Sequence, residues 1–274
     1  MLSMKSTQSN YHQTVADYYD EDAELGFEDR AAGNVILDRI RGDFRKIATQ
    51  YVGPQVLEIG CGPGFDLEWF ALNFPDSKIT ALDISEKMTA ATQRRIGRNG
   101  FQHAKVFTAD EVSMMEILPE SSFDLVYVFF GALNTVEDLN LAAVNVSKLM
   151  KPGGHAVLTF VNKWYLREML VQLAKLRFRS AFARIRKVWG GYSVNRHLPS
   201  SCYSPGQIEG AFKDLQLIFR KGYSIFYPAW YNQHKLKGSP DNGDSLWKRD
   251  QQVQNSWLWS KGEYTLFVFK KPHA

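Results

Sequence analysis

The sequence predicts an α/β fold, a doubly wound and mostly parallel sheet covered by helices, and three observations carry that prediction. Short apolar runs rich in β-branched residues alternate with helix-like pattern from residue 56 to residue 161. A glycine-rich turn, Gly60-Cys61-Gly62-Pro63-Gly64, joins the first apolar run to the first helix, and an acid, Asp83, closes the second run. Such alternation builds a parallel sheet with helices on both faces.

Taken in order, the first strand is expected over 56–60 with a helix over 65–73, and the second strand over 78–83. Ser85 followed by Glu86 then starts a helix reaching 98. Strands over 104–108 and 123–129 follow, and a helix over 136–150 is stopped by Lys151-Pro152-Gly153-Gly154 before a fifth strand over 155–161. Past residue 161 the alternation fails. A basic helical stretch runs to 189, a polar-aromatic segment follows, and two more strands are expected near 215–226 and 263–270.

Composition narrows the class. A chain of 274 residues, 45% hydrophobic, can bury one substantial core, and nothing in it reads as a linker between independent domains. Two cysteines, Cys61 and Cys202, make no disulfide framework and stand in no metal-ligand spacing, so no metal is expected and a reducing cytoplasm is the expected setting. No secretory pattern opens the sequence, and no apolar run is long enough to span a bilayer. The net charge of +4 is unevenly placed: eight basic residues against the single acid Glu168 lie between Lys163 and Lys187, which leaves the rest of the chain net acidic.

At a strand-to-helix junction, glycines admit a ligand close to the backbone, and the free N–H groups of the helix favour an anionic group. Gly60, Gly62 and Gly64 fit that role, and nicotinamide-dependent dehydrogenases use a related loop. Two features count against a dinucleotide or a phosphate-binding loop: the bulky Phe65 stands where a small residue is needed, and no Gly-Lys-Ser/Thr follows. Asp83, placed after the second strand, can accept from both ribose hydroxyls, and Asp110 after the third strand from an adenine amino group.

With these residues in view the chain resembles the class I S-adenosylmethionine-dependent methyltransferases. Glu58-Ile-Gly-Cys-Gly-Pro-Gly64 resembles their first motif, Ala81-Leu-Asp-Ile-Ser85 their second-strand acid motif and Thr108-Ala-Asp-Glu111 their adenine motif. Phe123-Asp-Leu-Val126 resembles their fourth strand and Leu149-Met-Lys-Pro-Gly-Gly-His155 the turn before their fifth. The resemblance spans roughly residues 50–161 and implies a Rossmann-like, seven-stranded, mostly parallel sheet whose last two strands form an antiparallel hairpin at one edge. It implies S-adenosylmethionine as cofactor, with Glu58 and Gly60, Cys61, Gly62 and Gly64 at the methionine end, Asp83 at the ribose, Ile84 on an adenine face and Asp110 at the adenine amine. Met88, Glu111 and Phe129 complete the implied cofactor-binding set. It also implies an N-terminal helical lid over 1–50, with Tyr11 and Tyr19 as lid residues that order on cofactor binding. The remaining divisions are a cofactor-binding core over 51–161, a cap insertion over 162–214 between strands five and six, and C-terminal strands over 215–274.

The acceptor is addressed by Phe129-Phe-Gly-Ala-Leu-Asn134, at the carboxyl edge where α/β ligands bind. Ring-amine methyltransferases carry an Asp/Asn-Pro-Pro-aromatic motif there and cytosine C5 enzymes need a Pro-Cys pair; neither is present, which disfavours nucleic-acid bases. From Trp164 to Trp189, apolar residues at i, i+3 and i+4 spacing with Lys and Arg between them read as one or two basic amphipathic helices. Three readings stand for them: an active-site cap with a solvated polar face, peripheral contact with anionic membrane, and an RNA surface. The aromatic residues of 189–230 favour an apolar pocket. A hydroxyl acceptor would call for a base, for which His197 in the cap is the candidate and His155 reads as structural. The expected function is methyl transfer to a small, hydrophobic or lipid-like metabolite. The alternatives are a non-catalytic cofactor- or membrane-binding module and an NAD-dependent oxidoreductase. Oligomeric state is left open.

Overall fold

The computed structural model describes residues 2–193, 195–236 and 241–273, with side chains from residue 10 onward. Three helices lead the chain: α1 (Leu2–Glu24), α2 (Phe27–Ala32) and α3 (Val35–Ala48). The alternating unit follows as β1 (Gln55–Ile59), α4 (Phe65–Asn73), β2 (Lys78–Asp83), α5 (Glu86–Asn99), β3 (Ala104–Thr108), α6 (Met114–Ile117), β4 (Phe123–Val128), α7 (Leu139–Leu149) and β5 (Met150–Val161). Then come α8 (Leu166–Ala174), α9 (Phe178–Ala181), α10 (Pro205–Ala211), β6 (Gln216–Tyr223), α11 (Asp244–Gln252) and β7 (Tyr264–Lys270).

The seven strands form one sheet in the order β3-β2-β1-β4-β5-β7-β6. The first five run parallel, with Leu57 opposite Thr80 and Val126 opposite Ala156, while β7 is antiparallel to both neighbours, Val157 facing Val268. The mostly parallel sheet with an antiparallel last strand is therefore present. β6 and β7 do pair at one edge, but forty residues separate them, and that excursion carries α11 rather than a tight hairpin turn. Two cores flank the sheet. On one face Ile36, Ile40 and Phe44 of α3 join Leu67 and Phe70 of α4 over Val56, Ile79 and Leu125. On the other, Ala142, Val146 and Leu149 of α7 and Ile208 of α10 cover Leu57, Val126 and Leu158. Central strands buried on both faces read as continuous apolar runs for this reason.

Local chemistry sets the boundaries. Ser85 caps α5 by accepting the Met88 N–H at 3.0 Å. The pattern expects the next helix to start at 136; it starts after Asp138, whose side chain accepts the Asn140 N–H at 2.8 Å. β5 begins at Met150 rather than 155, because Met150 pairs with Phe123 and the Pro-Gly-Gly stretch is taken up as an irregularity inside the ladder. β6 ends at Tyr223, short of 226, where Ser224 turns to φ +58° and the buried Asp250 accepts the N–H groups of Ile225, Phe226 and Tyr227 at 3.1, 2.6 and 3.2 Å. The helices before residue 50 divide in two: α3 is a core layer, whereas α1 lies over the carboxyl edge of the sheet against α5.

Candidate active site

β1 must turn sharply into α4, and Gly60 makes the turn possible. Its φ is +75°, and a Cβ on it would stand 2.3 Å from the Cβ of Ala132. Gly64 is left-handed too, and a Cβ there would lie 2.7 Å from Thr92 Oγ1. The loop is held from beneath. The N–H groups of Gly60 and Cys61 donate to the Leu82 carbonyl at 2.8 and 2.9 Å, and Thr92 Oγ1 donates to the Gly62 carbonyl at 2.8 Å. The Gly62 N–H donates to Asp83 Oδ2 at 2.7 Å, while Asp83 Oδ1 takes the Ser85 N–H at 3.0 Å. Burial lifts the Asp83 pKa to about 6 against the pull of these N–H bonds. Each carboxylate oxygen has a second lone-pair site, so Asp83 can brace the loop and still accept from two hydroxyls. The Cys61 thiol is buried and its pKa is pushed well up by burial and then by Asp83, so it packs rather than reacts.

Near the end of β1, buried Glu58 accepts the Tyr127 hydroxyl at 3.0 Å, and burial followed by Asp66 raises its pKa well above the ordinary carboxylate value. Asp66 is bound by Arg45 Nε at 2.6 Å. Arg41, which the sequence reading passed over, lies between the rings of Phe65 and Phe130, 5.0 and 4.9 Å from their centroids. Its Nε is buried and 3.3 Å from Asp66 Oδ2, yet misaligned for a hydrogen bond. A cation on the apolar stripe of α3, beside Ile40 and Phe44, was the available signal.

After β3, Asp110 Oδ1 accepts the N–H groups of Val112 and Ser113 at 2.8 and 2.7 Å, and Oδ2 faces His12 Nδ1 at 3.4 Å. Glu111 meets His12 Nε2 at 2.9 Å. The hydrogen bond to Glu111 raises the His12 pKa. His12, Asp110 and Glu111 present one ligand atom each within a 4.8 Å cluster, but the two carboxylates already satisfy the imidazole, and the group is a latch between α1 and the sheet. The sequence reading missed His12 although it adjoins Tyr11.

The rest of α1 is docked at several points. Tyr11 Oη donates to the Pro199 carbonyl at 3.0 Å. Asp20 accepts from Ser85 Oγ at 2.5 Å and from the Lys87 N–H at 3.1 Å, and Glu24 pairs with Lys87. Tyr19 is enclosed beside Asp83, and burial, then that carboxylate, raises its pKa. From the cap, Arg196 donates to Asp22 at 2.7 Å and to the Tyr18 carbonyl at 2.6 Å, and its guanidinium lies 4.0 Å from the Tyr18 ring centroid. Ile84 and Met88 sit where these α1 contacts meet the start of α5, half-buried and buried respectively.

Beyond the carboxyl end of β4 Phe129 is buried against Phe44 and Tyr127, at 5.4 and 4.8 Å between centroids. Phe130, held at φ +55°, packs on the same Phe44 ring at 5.2 Å and meets Tyr264 at 5.9 Å. An aromatic wall continues through Tyr192, Trp189, Trp230 and Tyr231. Within it the Tyr192 hydroxyl donates to Oε1 of the buried Glu263 at 2.7 Å. Arg184 pairs with Glu168 at 2.7 Å and approaches Glu263 at 3.7 Å, while both its Nη atoms are buried without hydrogen-bond partners. The expectation of a solvated basic face therefore fails at Arg184, which is 5% exposed among Tyr165, Trp189 and Tyr192. His197 lies exposed on the cap with its ring against Gly190, and His155 stacks on Tyr51 at 4.4 Å at the opposite end of β5.

The arrangement fits S-adenosylmethionine: a cradle with no room for a side chain at Gly60, and acceptor carboxylates after β2 and β3. Residues 57–156 match the family model described as a methyltransferase domain. A malonyl-[acyl-carrier protein] O-methyltransferase of Erwinia billingiae is 30% identical over 60% of this chain, a match that spans 61% of that protein's length. One of the same name from a Paenibacillus species is 26% identical over 85% of this chain and 76% of its own. Among solved structures, geranyl diphosphate C-methyltransferase from Streptomyces coelicolor, in complex with S-adenosyl-L-homocysteine, shares the fold with a TM-score of 0.62 at 13% identity, covering 95% of this chain and 98% of that one. No described helix is long and apolar enough to cross a membrane. The ordered motifs, the β3-β2-β1-β4-β5-β7-β6 sheet and the match over residues 57–156 show that this chain carries a methyltransferase domain of the class I S-adenosylmethionine-dependent kind.

Proposed function

We propose that the protein methylates a small apolar acceptor held between Phe130, Tyr264, Tyr192 and Trp230. The observation that carries this reading is the aromatic wall itself, which lies beyond the carboxyl ends of β4 and β5 and beside the closed α1. S-adenosylmethionine, when bound, supplies an electrophilic methyl group and loses its positive charge on transfer. Glu58, the 60–64 loop and Arg41 would hold its methionine end, Asp83 its ribose, and Asp110 with Glu111, Ile84 and Met88 its adenine. The chain's remaining tasks are alignment and exclusion of water, which the aromatic wall and the α1 lid serve. A hydroxyl acceptor would give its proton to a base, for which Glu263, reached through the Tyr192 hydroxyl, and His197 compete; a carboxylate acceptor needs neither.

A second reading is favoured by the unpartnered Nη atoms of Arg184: an acceptor bearing a carboxylate, such as the malonyl carrier-protein thioester named for the relatives. The test is calorimetry with S-adenosylmethionine, followed by labelled methyl transfer to a metabolite and lipid extract and, separately, to malonyl carrier protein. Micromolar binding with label in an apolar product supports the first reading, and label on the carrier supports the second. Absence of S-adenosylmethionine binding would overturn both.

A further inference from the structure

The cap exposes more hydrocarbon than its packing requires. No residue of α8 is buried, and Leu176 and Phe178 are 76% and 58% exposed at its outer tip. The tip is built rather than loose. The Lys175, Leu176 and Arg177 N–H groups donate to the carbonyls of Val171, Leu173 and Gln172 at 3.2, 2.9 and 2.9 Å, which closes the end of α8. Leu176 occupies the left-handed position of that closure, φ +56°, where glycine relieves strain. A bulky apolar residue there costs backbone energy and gains no burial within the chain.

Lys175, Arg177 and Arg179 alternate with these two apolar residues and are exposed, and no ion pair engages them among the described residues. Three other cap cations are committed elsewhere, Arg184 to Glu168, Arg196 to α1 and Arg167 to the Phe226 carbonyl at 3.1 Å. The positive field extends past the tip: burial first, then Arg167 and Lys175, depresses the Lys235 pKa.

We infer that the Lys175–Arg179 tip is a docking wedge for an anionic lipid surface, Leu176 and Phe178 entering the hydrocarbon boundary while the three cations meet the headgroup phosphates. A projecting apolar pair ringed by free cations suits a bilayer, and the inference rests on this surface alone, independent of which acceptor is methylated. The test is flotation of the full chain with phosphatidylcholine vesicles, with and without phosphatidylserine, at low and high salt. Binding is expected with phosphatidylserine at low salt, weakened by salt and absent with phosphatidylcholine alone. K175E/R177E/R179E should weaken it at least on the order of a hundredfold, about fivefold for each basic side chain lost. L176G/F178S should also detach the protein; Leu176→Gly relieves the backbone, so the fold survives, which unchanged S-adenosylhomocysteine affinity by calorimetry would verify. Indifference to phosphatidylserine vesicles at low salt, or flotation untouched by either variant, would overturn the inference. So would lipid-free capture of acidic carrier protein that the same substitutions abolish while vesicles are ignored.

Discussion

Glu263 offers the sharpest quantitative test because it is wholly buried and carries a large opposing balance. Burial pushes its pKa up to about 7, against the pull of Arg184 and the Tyr192 hydrogen bond. In the unfolded chain the group titrates near the ordinary glutamate value of 4.5. Between those values the folded state keeps a proton that the unfolded state has released, so stability falls as pH rises and the full loss is present above the folded value. At about 1.4 kcal/mol per pH unit the group contributes a decline of about 3 kcal/mol. Asp83 and Asp250, both raised to about 6, and His12, raised above 6.5, slope the same way, so the Glu263 share, about 1.4 kcal/mol between pH 6 and 7, is the difference between wild type and a variant lacking the carboxyl. Urea unfolding of wild type and Glu263→Gln from pH 6 to 8 should show the wild type losing more stability than the variant, by about that amount. Tyr192→Phe removes a hydrogen bond that favours the charged form, so it should move the wild-type decline to higher pH. Parallel profiles for wild type and Glu263→Gln would refute the reasoning, since they would mean that Arg184 offsets the whole desolvation penalty.

Further outcomes follow from single contacts. Gly60→Ala forces a Cβ to 2.3 Å from Ala132 at positive φ, so S-adenosylhomocysteine binding should be lost by calorimetry, with about 1–3 kcal/mol of stability. Arg196→Gln removes the bond to Asp22 and the Tyr18 stacking, at a cost of about 2 kcal/mol to lid closure. Proteolysis within α1 should then speed up and cofactor affinity fall by up to about 30-fold; unchanged values would detach the lid from binding. Asp250→Ala orphans three buried N–H groups, and thermal unfolding should register about 3–5 kcal/mol, with Asp250→Asn recovering part of it.

The elements that the sequence placed well are those whose limits depend on neighbours in the chain. The helix at 65–73 and the strands at 78–83 and 104–108 match their expected spans, since a left-handed glycine, a serine cap and short apolar runs define them locally. Asp83 and Asp110 were legible as candidates because strand ends in a parallel sheet point at one edge, and that edge is where the fold puts both. The start of β5 was not, because a Pro-Gly-Gly stretch stops a helix locally but can also be absorbed in a ladder whose partner, Phe123, lies 27 residues upstream. Other contacts share a longer version of that dependence: His12 meets Glu111 across 99 residues, and Tyr192 meets Glu263 across 71.

The basic stretch from 163 to 187 shows why charge counting could not finish the reading. In sequence its cations alternate with apolar residues and look equivalent. In the structure Arg184 is buried beneath aromatic rings against Glu168, whereas Lys175, Arg177 and Arg179 remain in water around Leu176 and Phe178. Just beyond the stretch, Arg196 fastens α1 across 174 residues of chain. A guanidinium out of water needs a carboxylate or a ring face to offset its desolvation, and a guanidinium in water needs neither. Which condition applies is decided by Glu168, Trp189, Asp22 and Tyr18, through contacts that only the folded chain creates. The same cationic pattern therefore serves an internal brace, a lid clamp and an outward-facing wedge, and the three are separable by Arg184→Gln, Arg196→Gln and the 175–179 charge reversal. Acceptor turnover should respond chiefly to the first, cofactor affinity to the second and vesicle binding to the third. A single readout that moved equally in all three variants would mean that the cap acts as one unit.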